Sequence, residues 1–253
     1  MSFRTNSRRL DIASNLTIAT AAPALPSPIV ILLHEAYGLN AHSDDLVAHV
    51  ASHGFFAVAP DLFGGRAFEY SDSAGAMAAV RQCSDTESID TIKTTIQWAR
   101  AQGAGANQPV GVLGFCMGGR LAFIAACALG AAIDAAVCCY GGGIGAEGER
   151  DRFGRSVPLV ENNIKQLSAP LMFIYGNQDA HIPPAEHARI VQMLGAQQKP
   201  FVLESYPAGH GFLSDRPEYY NPACARAAWQ QIFSHLLRHM GLADPALRTA
   251  DYQ

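Results

Sequence analysis

Short, almost continuously apolar runs punctuate the chain at Ile29–Leu33, Phe55–Ala59, Val110–Gly114, Ala135–Tyr140, Pro170–Tyr175 and Phe201–Tyr206. Runs of this length without alternation read as strands buried on both faces of a parallel sheet. Between them the period changes to that of a helix. Thr86–Ala101 sets Ile89, Ile92, Ile96 and Ala99 on one face and stops before Gly103, and Asp44–Ser52 stops before Gly54. Gly118–Leu129 is alanine-rich, and Pro184–Leu194 and Ala223–Met240 follow later strands. Pro183 and Pro184 suit a helix start, while Gly195 and Gly241 suit helix ends. Strand and helix in alternation predict an open, mostly parallel α/β sheet with helices on both faces.

Two stretches break this rhythm, Phe63–Cys83 and the Gly-, Arg- and Glu-rich Gly141–Asn163. Long excursions in such a sheet shape a binding site or lie on the surface. No linker or repeat divides the chain, so 1–253 reads as one domain, with a core from about 29 to 240 and a surface tail over Ala243–Gln253. Of 253 residues, 49% are hydrophobic and 16% charged, which excludes disorder. The net charge of −4 comes with no run of Lys and Arg, so no nucleic acid is expected as a partner. Near the start, Arg4, Arg8 and Arg9 precede a weakly apolar stretch that Asp11, Asn15, Pro23, Pro26 and Pro28 interrupt. This is neither a signal peptide nor a membrane span. The six cysteines follow no disulfide or zinc spacing, and a reducing cytoplasm fits them best.

The chemistry concentrates where strands end. Gly114-Phe115-Cys116-Met117-Gly118 follows an apolar strand and opens a helix. This is the nucleophile-elbow pattern with Cys in place of the commoner Ser. The tight turn demands small neighbours, and the helix N-terminus behind it favours a thiolate and a developing oxyanion. Asp179 lies just past the strand ending at Tyr175, where it could equally cap a helix, and His210 follows the strand ending at Tyr206. The order nucleophile, acid, histidine is the one an α/β-hydrolase fold imposes. In that fold the residue after the nucleophile, Met117, supplies one oxyanion N–H, and the loop after Ile29–Leu33 supplies the other, for which Ala36 is the candidate. Glu35 is an odd neighbour there, because a carboxylate repels the charge the hole must hold. The helical pairs His49/His53 and His235/His239 lack the Glu of a His-Glu-x-x-His site and read as surface residues. No metal or cofactor is expected.

Together His34-Glu35-Ala36-Tyr37-Gly38-Leu39-Asn40, Val58-Ala59-Pro60-Asp61-Leu62-Phe63, Gly114-Phe115-Cys116-Met117-Gly118-Gly119 and Ala208-Gly209-His210 resemble the dienelactone hydrolase family, in order and over most of the chain. The resemblance implies a single α/β-hydrolase domain that cleaves esters or lactones through an acyl-enzyme. Cys116 would be the nucleophile, His210 the general acid and base, and Asp179 its orienting partner. It also implies a role for Glu35, which would hydrogen-bond the resting thiol and help activate it once substrate displaces the carboxylate. Such shielding has a chemical reason, since a permanently exposed thiolate oxidises readily.

One part of the resemblance fails. Family members that cleave dienelactone hold its carboxylate with an Arg and a Tyr before the long helix and an Arg four residues after the His. The matching positions here are Ser73, Met77 and Ser214, with Arg66, Arg81 and Arg216 nearby as substitutes. The expected partner is a small-molecule ester or lactone, and the missing clamp argues against dienelactone itself without naming the substrate. The chain itself leaves oligomeric state open. Two other functions would use the same residues: acyl transfer from Cys116 to an acceptor other than water, and non-catalytic binding of a small molecule.

Overall fold

The computed structural model describes residues 7–242 apart from residues 14, 15, 24, 106 and 217. In chain order the elements are β1 (Arg8–Ala13), β2 (Leu16–Ala21), β3 (Ile29–Leu33), α1 (Ala41–Ala51), β4 (Phe56–Pro60), α2 (Ser73–Gln82), α3 (Asp85–Ala99), β5 (Val110–Phe115) and α4 (Met117–Leu129). Then come β6 (Ala135–Cys139), α5 (Glu161–Ile164), β7 (Leu171–Gly176), α6 (Pro184–Ala196), β8 (Phe201–Tyr206) and α7 (Pro222–His239). The eight strands form one sheet in the order β1-β2-β4-β3-β5-β6-β7-β8. From β4 to β8 every pairing is parallel, while β1 and β2 join antiparallel at one edge.

The apolar runs become strands for the reason their pattern implies. Every residue of β3 to β7 is buried, because helices cover both faces. Strand β5 shows the two faces: a side chain at Gly111 would meet Leu236 and Met240 at the end of α7, whereas one at Gly114 would meet the start of α4. Helix α1 shares the α7 face, where His49 packs on Trp229 and Phe233. Helices α3 and α4 pack on each other and on the central strands. Each strand from β3 to β8 therefore delivers its carboxyl end, and the loop that follows it, to one edge of the sheet.

Three features differ from the sequence reading. The sheet extends upstream of residue 29, since β1 and β2 add two strands. Strand β1 alternates with Leu10 and Ile12 inward and Asp11, which reads as an interruption, outward; Asn15 lies outside the described residues. Second, Phe63–Cys83 contains α2, whose alanine-rich sequence is capped by Asp72 through the N–H of Gly75 (2.9 Å). Third, the paired histidines are not all surface groups. His235 is buried with Nε2 3.2 Å from the Pro170 carbonyl, and His49 is half-buried among aromatic rings; only His53 and His239 are exposed. The tail Ala243–Gln253 and Arg4 lie outside the described residues. Among the described residues no helix is long and apolar enough to cross a membrane.

Candidate active site

The turn between β5 and α4 holds Cys116 at φ 54°, ψ −113°, a conformation that costs a non-glycine residue of the order of 1–3 kcal/mol and persists only where the surroundings enforce it. Here they do. The Cys116 N–H donates to the Cys139 carbonyl (3.0 Å), and its own carbonyl accepts from the Arg120 N–H (3.2 Å). A side chain at Gly114 would collide with the Gly118 backbone, and one at Gly118 with the carbonyls of Leu33 and His34. The glycines thus let β5, α4 and the end of β3 crowd together, and the thiol stands at the N-terminus of α4.

The loops after β7 and β8 bring the other two groups to it. They are laced to each other by the N–H of Asn177 on the Tyr206 carbonyl (2.8 Å) and of Gln178 on the Ala208 carbonyl (3.0 Å). His210 Nε2 lies 3.2 Å from Cys116 Sγ, and His210 Nδ1 lies 2.7 Å from Asp179 Oδ2. The other carboxylate oxygen of Asp179 accepts from the His181 N–H (2.7 Å), so the acid serves the local turn and the imidazole together. Burial opposes a charge on His210, but the Cys116 sulfur and the hydrogen bonds to Asp179 and Cys116 outweigh it and push its pKa up to about 10. Burial likewise opposes the Asp179 carboxylate, yet its bond to His210 and the adjacent positive charge hold its pKa below the usual value. Both directions favour a protonated His210 held by an ionised Asp179.

Glu35 and Ala36 follow β3 on the same edge. The buried Tyr140 hydroxyl donates to Glu35 Oε1 (3.1 Å), while the thiol's contact goes to His210 rather than to Glu35. Tyr140 sits at φ 38° just past β6, with its ring 5.2 Å from that of His210, and burial followed by the Glu35 charge keeps it neutral. His34 anchors the loop. The Leu62 N–H donates to His34 Nε2 (3.1 Å), so Nδ1 must carry the proton that it gives to the Glu35 carbonyl (2.7 Å). Burial lowers the His34 pKa and keeps that tautomer neutral. Ala36 and Met117 are buried and border the same cleft as Cys116. Met117 is the first residue of α4, where an N–H has no partner within its helix.

The cleft measures about 300 Å³. Ser73, Met77 and Ser214 all line it, so the three positions that lack the clamp residues do face the site. Of the suggested substitutes only Arg216 lines it, clamped between Glu218 (2.9 Å) and the Tyr37 hydroxyl (2.8 Å). Arg66 faces a different cavity, and Arg81 packs at 5.8 Å on the ring of Phe153. Arg152, Phe153, Arg155, His181 and Tyr140 went unnoticed in the sequence as site residues, because nothing local marks them. The excursion Gly141–Asn163, flagged for its composition and length, was the available signal for the first three. All six cysteines are free thiols, and among the described residues no cluster of His, Cys, Asp or Glu could hold a metal ion.

This strand order, with a strained elbow residue facing a histidine and an acid on one sheet edge, defines an α/β-hydrolase. The dienelactone hydrolase family model matches residues 15–240. A Yersinia pestis protein named "Putative carboxymethylenebutenolidase" is 32% identical over 225 residues, covering 87% of this chain and 81% of its own. The carboxymethylenebutenolidase of Pseudomonas putida is 29% identical over 210 residues, covering 80% of this chain and 82% of its own. A solved structure from Klebsiella pneumoniae subsp. pneumoniae, described as a "Putative Dienelactone Hydrolase", superposes with a TM-score of 0.82 at 27% identity, covering 92% of this chain and 98% of that one. The chain belongs to the dienelactone hydrolase family, and it is a hydrolase of the kind that acts on carboxylic ester or lactone bonds.

Proposed function

We propose that the protein hydrolyses activated esters or lactones through an acyl-enzyme on Cys116, within one α/β-hydrolase domain working in the cytoplasm. The observation that carries this reading is the unbroken line from Cys116 Sγ through the His210 ring to Asp179, with contacts of 3.2 and 2.7 Å. His210 takes the thiol proton, and Cys116 attacks the substrate carbonyl. The N–H groups of Met117 and Ala36 receive the oxyanion, each donor contributing about 3 kcal/mol in comparable chemistry. The C–O bond breaks, His210 returns its proton to the leaving oxygen, and it then deprotonates the water that releases the acid. Asp179 fixes the tautomer throughout.

Glu35 fits this scheme as a guard of the thiol. Tyr140 offers its carboxylate a second partner, so Glu35 resting on Tyr140 corresponds to the engaged site, with the thiol handed to His210. A thiolate is itself a good leaving group, so a poorly leaving alkoxide would be outcompeted in the tetrahedral intermediate. This restricts the substrates to enol esters, lactones and other activated esters.

The test is a burst assay with p-nitrophenyl acetate followed by intact-protein mass spectrometry. The wild type should gain one acetyl group on Cys116, and the Cys116→Ala variant should gain none and lose turnover. Undiminished turnover in the folded variant overturns the assignment.

A further inference from the structure

A second chamber of about 330 Å³ adjoins the cleft, and Gly142, Arg152, Phe153 and His181 line both. The partition between them is a built structure. Residues 149–157 turn back on themselves through the bridge between Arg150 and Ser156, the Asp151 N–H on the Arg155 carbonyl (2.8 Å) and the Val157 N–H on the Glu149 carbonyl (2.9 Å). The base of this hairpin is pinned by Arg120, a fully buried guanidinium that donates to the Ser156 carbonyl (2.9 Å) and to Asp85 (2.6 and 3.0 Å). Asp151 is tied to Arg155 at 2.8 Å. Arg152 and Phe153 form the tip, the guanidinium 4.7 Å from the ring centroid. Among the described residues no carboxylate lies within ion-pair distance of Arg152, whereas its neighbour Arg155 is paired.

The tetrahedral carbon formed on Cys116 has three further substituents to place. Its oxyanion must face Met117 and Ala36. The departing oxygen must face His210, which protonates it. The ring of His181 lies 5.3 Å from that of His210 and lines both chambers, so the alcohol side of the substrate leads past His181 toward the partition. The acyl side is left with the wall formed by Met77 and Val80.

We propose that the second chamber receives the alcohol portion of the substrate and is shaped for an aryl leaving group, a phenol with a further ring hydroxyl; this rests on the esterase reading above. Two observations converge on that class. A phenol ionises near pH 10, as tyrosine does, so its phenolate competes with the thiolate as a leaving group far better than an alkoxide. Phe153 and the unpaired guanidinium of Arg152 are the two groups that hold an aromatic ring, one by edge or face contact and the other by stacking over its π-system. Beyond them, Glu147 and Arg189 line the far wall and can bond a ring hydroxyl.

Acetate esters test this cleanly, because every member of the series leaves the same acetyl group on the enzyme and differs only in the alcohol. In the wild type, kcat/KM for 6-hydroxy-2-naphthyl acetate should exceed that for phenyl acetate by about tenfold, and the ratio should fall to about two or less in Phe153→Ala and in Arg152→Ala. Both residues lie at the tip of the hairpin, and a circular-dichroism melt checks that each variant folds. A wild-type ratio near one, or a ratio that survives both substitutions, overturns the assignment of the chamber. The two readings separate in the same experiment: no acetyl adduct on wild-type Cys116 defeats the esterase reading, whereas an adduct with a flat ratio defeats only the chamber.

Discussion

Replacing Asp179 with Asn tests how the site orders its protons. The two carboxylate oxygens have fixed duties. One accepts from the His181 N–H at 2.7 Å, and the other accepts from His210 Nδ1 at 2.7 Å. An asparagine has one oxygen, and the backbone donor of His181 claims it, since its alternative is an unsatisfied N–H. The amide nitrogen then faces His210 Nδ1. Two donors cannot share that contact, so the imidazole must shift its proton to Nε2, the atom 3.2 Å from Cys116 Sγ. A ring protonated there cannot take the thiol proton. In a serine triad of the same logic this exchange costs about 10⁴-fold in kcat. A thiol surrenders its proton more easily than a hydroxyl, so we expect a loss of about 10²–10³-fold in the acylation rate, or about 3–4 kcal/mol at 1.36 kcal/mol per tenfold. The pre-steady-state burst with p-nitrophenyl acetate measures that rate directly. An Asn variant that folds and acylates within tenfold of the wild type would refute the tautomer argument.

Three further outcomes follow from the packing. Gly118→Ala should destabilise the fold by about 3 kcal/mol or more, because the added methyl meets the backbone carbonyls of Leu33 and His34 where neither strand nor helix can yield; a urea melt reads the loss, and a near-wild-type midpoint would contradict it. Arg120→Met should cost about 1–3 kcal/mol, since it removes the donor of the Ser156 carbonyl and of Asp85, whose side chain at 35% exposure is left to water; the same melt applies, and a Lys variant should recover only part because it cannot reproduce the bidentate fork. Stability should also decline in acid. Burial first, and then the neighbouring His53 and His239, lower the pKa values of His49 and His235 to about 4. Between the unfolded value near 6.5 and about 4, the unfolded chain binds protons that the folded one refuses, so this contribution is complete above pH 6.5 and is lost as pH falls toward 4. The thermal midpoint of His235→Gln should therefore vary less than that of the wild type between pH 6.5 and 4.5, and equal slopes would count against it.

Local sequence determined much of this protein. The buried strands β3 to β7 were legible because two-sided burial requires continuous apolar runs, and the helices between them because one-sided burial imposes a period of 3.6; β8, which also reads as a buried run, is instead a half-exposed edge strand. The elbow was legible because only glycine tolerates the crowding at positions 114 and 118. Cys116, Asp179 and His210 could be named because each stands just past a strand, and parallel strands present those ends together. Strand β1 was obscured because, at the margin of the sheet, it carries polar residues on its open side, and β2, paired on both sides, because its threonines and alanines give little apolar contrast. Helix α2 was obscured because small alanines give little periodic contrast.

Tertiary structure decided what surrounds the three residues. Tyr140 reaches Glu35 from a strand more than a hundred residues away in sequence. His235, which reads as a surface group, is buried because the carbonyl of Pro170 approaches its ring. Arg216 borders the cleft while Arg66 and Arg81 do not, and the hairpin tip at Arg152 and Phe153 forms a wall because a buried arginine on α4 bonds its base. No pattern in neighbouring residues encodes such contacts. They depend on which loops the sheet order brings to one edge, and the shape and charge of the cleft are sums over groups that meet only after folding.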